Sequence, residues 1–98
     1  MFNNKKKIEL DNDEKRILFH ALIEYRNDLL VENMFVNEIT DVNKIISKLK
    51  NKIKVDKGEM TLILEGLVKK RNLMKSQNED ITAISELILR LGEIYETF

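Results

Sequence analysis

The sequence predicts an all-α fold, a helical hairpin written twice in tandem and closed into a four-helix bundle, on three observations. Chain breakers are scarce: among 98 residues there is no proline and there are only three glycines, which favours long helices. Apolar residues recur at three-and-four spacing in four separate stretches, the mark of helices with one buried face. The first half of the chain also recurs in the second.

Displaced by forty-five residues, Leu10-Asp11 lies over Val55-Asp56, Glu14 over Glu59, Ile17-Leu18 over Leu62-Ile63, Ala21-Leu22-Ile23 over Gly66-Leu67-Val68, and Arg26-Asn27 over Arg71-Asn72. Displaced by forty-two, "ITDVNKIISKL" at 39–49 lies over "ITAISELILRL" at 81–91, where Ile39, Thr40, Ile46 and Leu49 meet identical residues. A shared helical period supplies apolar matches by chance, but not a cap, an Arg-Asn and an Ile-Thr in one order. The chain is therefore read as one domain over 1–98, with hairpin 1 at 8–50 and hairpin 2 at 53–96.

The first helix is expected over 12–32, with Ile17, Leu18, Ala21, Leu22, Tyr25 and Leu29 on one face. Asp11 precedes it and Glu14 follows three residues later, so a carboxylate can accept from the unpaired amides of the first turn. The second helix, over 39–52, carries Val42, Ile45, Ile46 and Leu49. The third, over 57–76, repeats the first, with Asp56 and Glu59 at its start and Leu62, Ile63, Gly66, Leu67 and Met74 on its stripe. The fourth, over 80–96, carries Ile84, Leu87, Ile88, Leu91 and Ile94. Asn33 and Asn78 fall between helices, where Asn tolerates left-handed backbone. "KKIEL" and "NKIKV", ahead of the first and third helices, have an alternative as short extended pieces paired with each other. One hairpin of about forty residues cannot bury both of its stripes, whereas two packed face to face can.

Composition narrows the function. With no cysteine and one histidine, His20, the usual thiolate, disulfide and His-cluster metal chemistries lack their residues. The glycines stand alone at 58, 66 and 92, so there is no glycine-rich phosphate loop. Neither an enzyme nor a cofactor is expected. No stretch has the length and apolarity of a membrane span, and "MFNNKKKIELDND" lacks the apolar core of an export signal; a cytoplasmic protein is the expectation. Lys plus Arg and Asp plus Glu number 17 each, so no global field draws the chain to nucleic acid.

Arg26, Asn27, Arg71 and Asn72 admit two roles. An Arg fork suits an anion, and a ligand-sequestering protein would use Arg26 and Arg71 in that way. The reading favoured by their presence in both units is structural: Arg26 pairing with Glu38 and Arg71 with Asp80, each Asn bonding loop backbone, to close the hairpins. Acidic pairs such as Glu79 and Asp80 suit helix starts.

The surplus of apolar residues points to a partner. Phe19, Ile23 and Leu30 widen the band of the first helix, and Met34 and Phe35 lie in an unrepeated "MFV". That band is consumed by burial in the monomer, by a homodimer, or by a different protein. Phe19, Ile23, Met34 and Phe35 are the candidate partner-binding residues, with Lys48, Lys50 and Lys52 orienting the partner. The lysine run at 44–57 supports the alternative of a nucleic-acid-associated regulator, although no aromatics are interleaved for base stacking.

"IELDNDEKRILFHALIEYRNDLLVEN" resembles small helical proteins without an assigned activity from low-GC Gram-positive bacteria and their phages. In those proteins a Leu-Thr-x-Glu-Glu start leads to Leu-Arg-Asn-x-Leu-Leu and a short second helix. The likeness covers 8–49 and, more loosely, 53–91; here Tyr25 and Lys70 stand where Leu precedes Arg-Asn. The resemblance implies a mobile-element protein that acts by binding, blocking or adapting another macromolecule.

Overall fold

The computed structural model describes residues 4–32 and 36–98. The chain is mostly helical, with a small sheet. In order the elements are β1 (Lys6–Glu9), α1 (Asn12–Glu32), α2 (Val36–Lys48), β2 (Lys52–Val55), α3 (Lys57–Ser76) and α4 (Thr82–Tyr95). β1 and β2 pair antiparallel, with Ile8 opposite Ile53 and Lys7 opposite Lys54. This ribbon is the departure from a purely α chain. Among the described residues no helix is long and apolar enough to cross a membrane.

Alternation decides what the ribbon covers. Ile8, Leu10, Ile53 and Val55 are buried while Lys7, Glu9, Lys52 and Lys54 face solvent, as period-two side chains require. The apolar face caps the core formed by Leu18, Ala21, Leu22, Val42, Ile45, Ile63, Leu67, Ile84, Leu87 and Leu91. Among the described residues no buried polar or charged side chain interrupts it.

α1 and α3 begin in the same way. Asp11 Oδ1 accepts from the Glu14 amide at 2.8 Å, and Glu14 Oε1 from the Asp11 amide at 3.0 Å. Asp56 and Glu59 make the same two bonds at the same distances. Each box satisfies two amides that the helix itself leaves unpaired. α3 and α1 lie close where Gly66 meets α1: a Cβ there would stand 3.5 Å from Leu22 Cδ2 and 3.6 Å from Tyr25 Cβ. Glycine in mid-helix costs about 1 kcal/mol relative to alanine, here at a packed crossing.

The helix ends carry their own reasons. Past α3, Asn78 takes a φ of 59°. Its amide donates to the Lys75 carbonyl and that of Glu79 to the Met74 carbonyl, which satisfies the end of the helix with a left-handed residue. Asn33, assigned the same task in the first unit, lies outside the described residues. α2 ends at Lys48 rather than continuing to 52, because Asn51 is taken by the ribbon. Its carbonyl accepts from the Leu10 amide at 2.6 Å, and its Nδ2 donates to the Leu10 carbonyl at 2.9 Å. α2 also begins at Val36, ahead of the expected 39.

Two basic residues strut the short helices to the ribbon. Lys48 Nζ donates to the Lys54 carbonyl at 2.7 Å and pairs with Glu59 at 2.7 Å. In the other half, Arg90 donates to the Glu9 carbonyl at 3.1 Å and pairs with Glu14 at 2.7 Å. Both acceptor glutamates are the capping-box residues, so each box ties a helix start, a strand and a short helix together.

Candidate functional site

Three faces meet in a trough beside the C-terminal half of α1. Tyr25, Leu29 and Glu32 come from α1, Glu38 from the start of α2, and Leu64, Glu65, Val68 and Lys69 from α3; the cavity is about 620 Å³. Spacing produces this set: residues 25, 29 and 32 share one face of α1, and the 64/68 and 65/69 pairs share one of α3. Leu29, Leu64, Val68 and the Tyr25 ring form the apolar floor, and Glu32, Glu38 and Glu65 supply carboxylates. Glu38 and Glu65 also line a second, more polar cleft of about 670 Å³ with Asp41, Lys44, Thr61 and Lys5.

Tyr25 is the fixed point of the trough. Its hydroxyl donates to Glu65 Oε2 at 2.6 Å, and the Lys69 ammonium sits 5.7 Å from its ring centroid, within cation–π range. Burial, followed by the Glu65 hydrogen bond and the charges of Glu65, Glu38 and Glu32, pushes the phenol well above its usual range. The hydroxyl is therefore a neutral donor that orients Glu65, and not an acid in waiting. The unfolded chain ionises this phenol near about pH 10, whereas the folded chain keeps it neutral to higher pH. The resulting stability is complete below about pH 10 and is lost as pH rises through the folded value. Urea titrations at increasing alkaline pH are thus expected to show a shallower loss of stability in Tyr25→Phe than in the parent chain.

The other candidates are scattered. Phe19 is exposed and lines a cleft of about 330 Å³ with Lys15, Arg16, Ile46 and Leu49, its ring edge-on to His20. Ile23 is half-buried. Met34 and Phe35 lie outside the described residues. Lys48 is held as a strut between the Lys54 carbonyl and Glu59. Lys50 is exposed, and Lys52 stands 3.5 Å from Glu9. Strand pairing gathers Lys7, Lys52 and Lys54 on one solvent face, with Lys5 and Lys50 at its ends.

Arg26 and Arg71 do not make the expected ion pairs among the described residues. Arg26 donates to Asn43 on α2 at 3.3 Å and to Asn27 at 3.5 Å; Arg71 donates to Asn72 at 3.3 Å. Glu38 faces the trough instead. Asp80 accepts from the Thr82 amide and hydroxyl at 2.9 and 2.7 Å, bonds that hold its carboxyl below the usual range. The basic residues that tie the short helices down are Lys48 and Arg90. Lys69 and Lys70 reach Asp28 at 3.5 Å and Glu24 at 2.6 Å across the α1–α3 interface.

The sequence reading missed the Tyr25–Glu65 pair and the trough. The one signal was that position 25 departs from its counterpart, Lys70. Among the described residues no group of three or more acidic or histidine side chains is placed to hold a metal ion. In comparisons with family models, curated proteins and solved structures, no match to the chain is found.

Proposed function

We propose that the chain is a tandem duplication of a β–α–α unit, closed as a four-helix bundle, and that it serves as a non-enzymatic protein-interaction module of the cytoplasm. Support for the duplication comes from the repeated strut. Lys48, Lys54 and Glu59 correspond to Arg90, Glu9 and Glu14 under the same displacements that align the two halves, and both sets make the same two contacts. Ile8 and Ile53, equivalent by sequence, are also partners across the ribbon, as a twofold axis through that pair requires.

The observation that carries the interaction reading is where the halves differ. Tyr25, Leu64, Glu65 and Val68 in the trough correspond to Lys70, Phe19, His20 and Ile23, so the trough belongs to one side alone. Near the same end of α1, on other faces of the helices, Leu30, Val31 and Val36 are 52%, 85% and 69% exposed. An apolar-floored trough on a helix end that also carries bare apolar side chains suits a docked protein segment.

Affinity capture from native-host lysate tests this reading with the full chain and with Val31→Asp/Val36→Asp, substitutions at exposed sites that leave folding nearly unchanged. The expected result is a protein retained at moderate salt by the parent and lost by the variant. Equal retention by both would remove the assignment of this end. A second reading, nucleic-acid association, draws on the Lys7–Lys54 cross-strand pair, a like-charge apposition that disfavours the ribbon. It requires retained nucleic acid that dissociates steeply as salt rises.

A further inference from the structure

We infer that the occupant of the trough is a basic peptide segment of another protein, an apolar side chain flanked by Lys or Arg. This rests on the interaction reading above and adds the chemistry of the partner.

The floor is apolar, and the carboxylates around it outnumber the cations, Lys69 in the trough and Lys5 and Lys44 in the adjoining cleft. Among the described residues Glu14, Glu24, Asp28 and Glu59 each have a cation partner. Glu32, Glu38 and Glu65, which line the trough, make no ion pair among the described residues, and neither does Asp41 in the adjoining cleft. Lys69, the one cation lining the trough among the described residues, is turned to Asp28 and the Tyr25 ring. Glu65 is held by the Tyr25 hydroxyl at one oxygen, which fixes its direction before anything binds. Three carboxylates around Leu29, Leu64 and Val68 thus present negative potential over a surface that water solvates poorly. The complement is an apolar anchor with cations on either side.

The chain's own "KIKV" at 52–55 is not available for this, because Ile53 and Val55 are 5% and 0% exposed, committed to their own core. Its exposed alternative is Leu73, 45% exposed between Arg71 and Lys75; sedimentation of the peptide-free chain as a dimer that Leu73→Asp returns to monomer would assign the trough to a second copy and overturn the inference.

Selection from a random twelve-residue peptide display library against the immobilised full chain tests this directly. Enriched peptides are expected to carry Lys or Arg flanking Leu, Ile, Met or Phe. A labelled synthetic consensus should bind by fluorescence anisotropy and lose about tenfold or more in affinity when its cations are replaced by Glu, or when the protein carries Glu32→Lys/Glu38→Lys. Neither glutamate is an ion-pair partner among the described residues, and circular dichroism melting of the variant verifies its fold. Enrichment of acidic or uncharged peptides, equal binding by the charge-reversed protein, or no enrichment overturns the inference. Displacement of the consensus by spermidine at equal potency assigns the site to small amines and does the same. Non-basic peptides whose binding is lost in Val31→Asp would leave the interaction reading standing while this inference falls.

Discussion

Leu22→Ala and Leu67→Ala each lower the unfolding free energy by about 2–5 kcal/mol, the range of buried leucine truncations. Both side chains are fully buried, at 0% exposure, on the facing long helices. The larger loss is expected at Leu22, because the residue across from it is Gly66. Glycine has no side chain to move into the space left by the missing isobutyl atoms, so the cavity persists. Leu67 corresponds to Leu22 in the other half, and the residue corresponding to Gly66 is Ala21, which carries a methyl. Urea unfolding followed by far-UV circular dichroism measures both, with an unchanged m-value confirming that stability alone has moved. A near-neutral result at either leucine would remove the α1–α3 interface as the centre of the core.

What could be read from the chain follows from how local each signal is. The spans of α1 and α3 coincide with the expected 12–32 and 57–76, because a capping box and a three-and-four stripe are both written within a few residues of the helix they define. α2 was misplaced at both ends for the opposite reason. Its stop depends on Asn51 bonding Leu10, a partner forty-one residues away, and no local pattern announces that. The ribbon is an alternative only, since its strands are four residues long and three of their four exposed positions are lysine, weak material by β propensity.

The site was less legible than the fold. Tyr25 and Glu65 are forty residues apart, and the displacement of forty-five pairs neither with the other, so no local or periodic pattern announces the contact. Lys48 reads as one charge in a lysine run, yet a backbone carbonyl and a carboxylate from the next two elements claim it. A sequence shows which charges exist, and only the packing of distant elements shows which are already spent.

Ile8→Asp and Lys7→Asp, neighbours on one short strand, are expected to behave oppositely. Ile8 is 0% exposed and stands opposite Ile53, over a core with no buried polar side chain among the described residues. A carboxylate there loses its water with nothing to accept from, at a cost of several kcal/mol. Against the roughly 5–15 kcal/mol that holds a domain of this size together, that is enough to unfold much of the population at room temperature. Lys7 points the other way, exposed and opposite Lys54. Its replacement by Asp turns a like-charge pair into an attractive one and shifts stability by less than about 0.5 kcal/mol, or slightly upward. Thermal melts and urea titrations of the two variants, alike in the residue introduced and one position apart, isolate the direction of the side chain as the cause. Similar losses in both would mean that the ribbon decorates the helices instead of sealing their core.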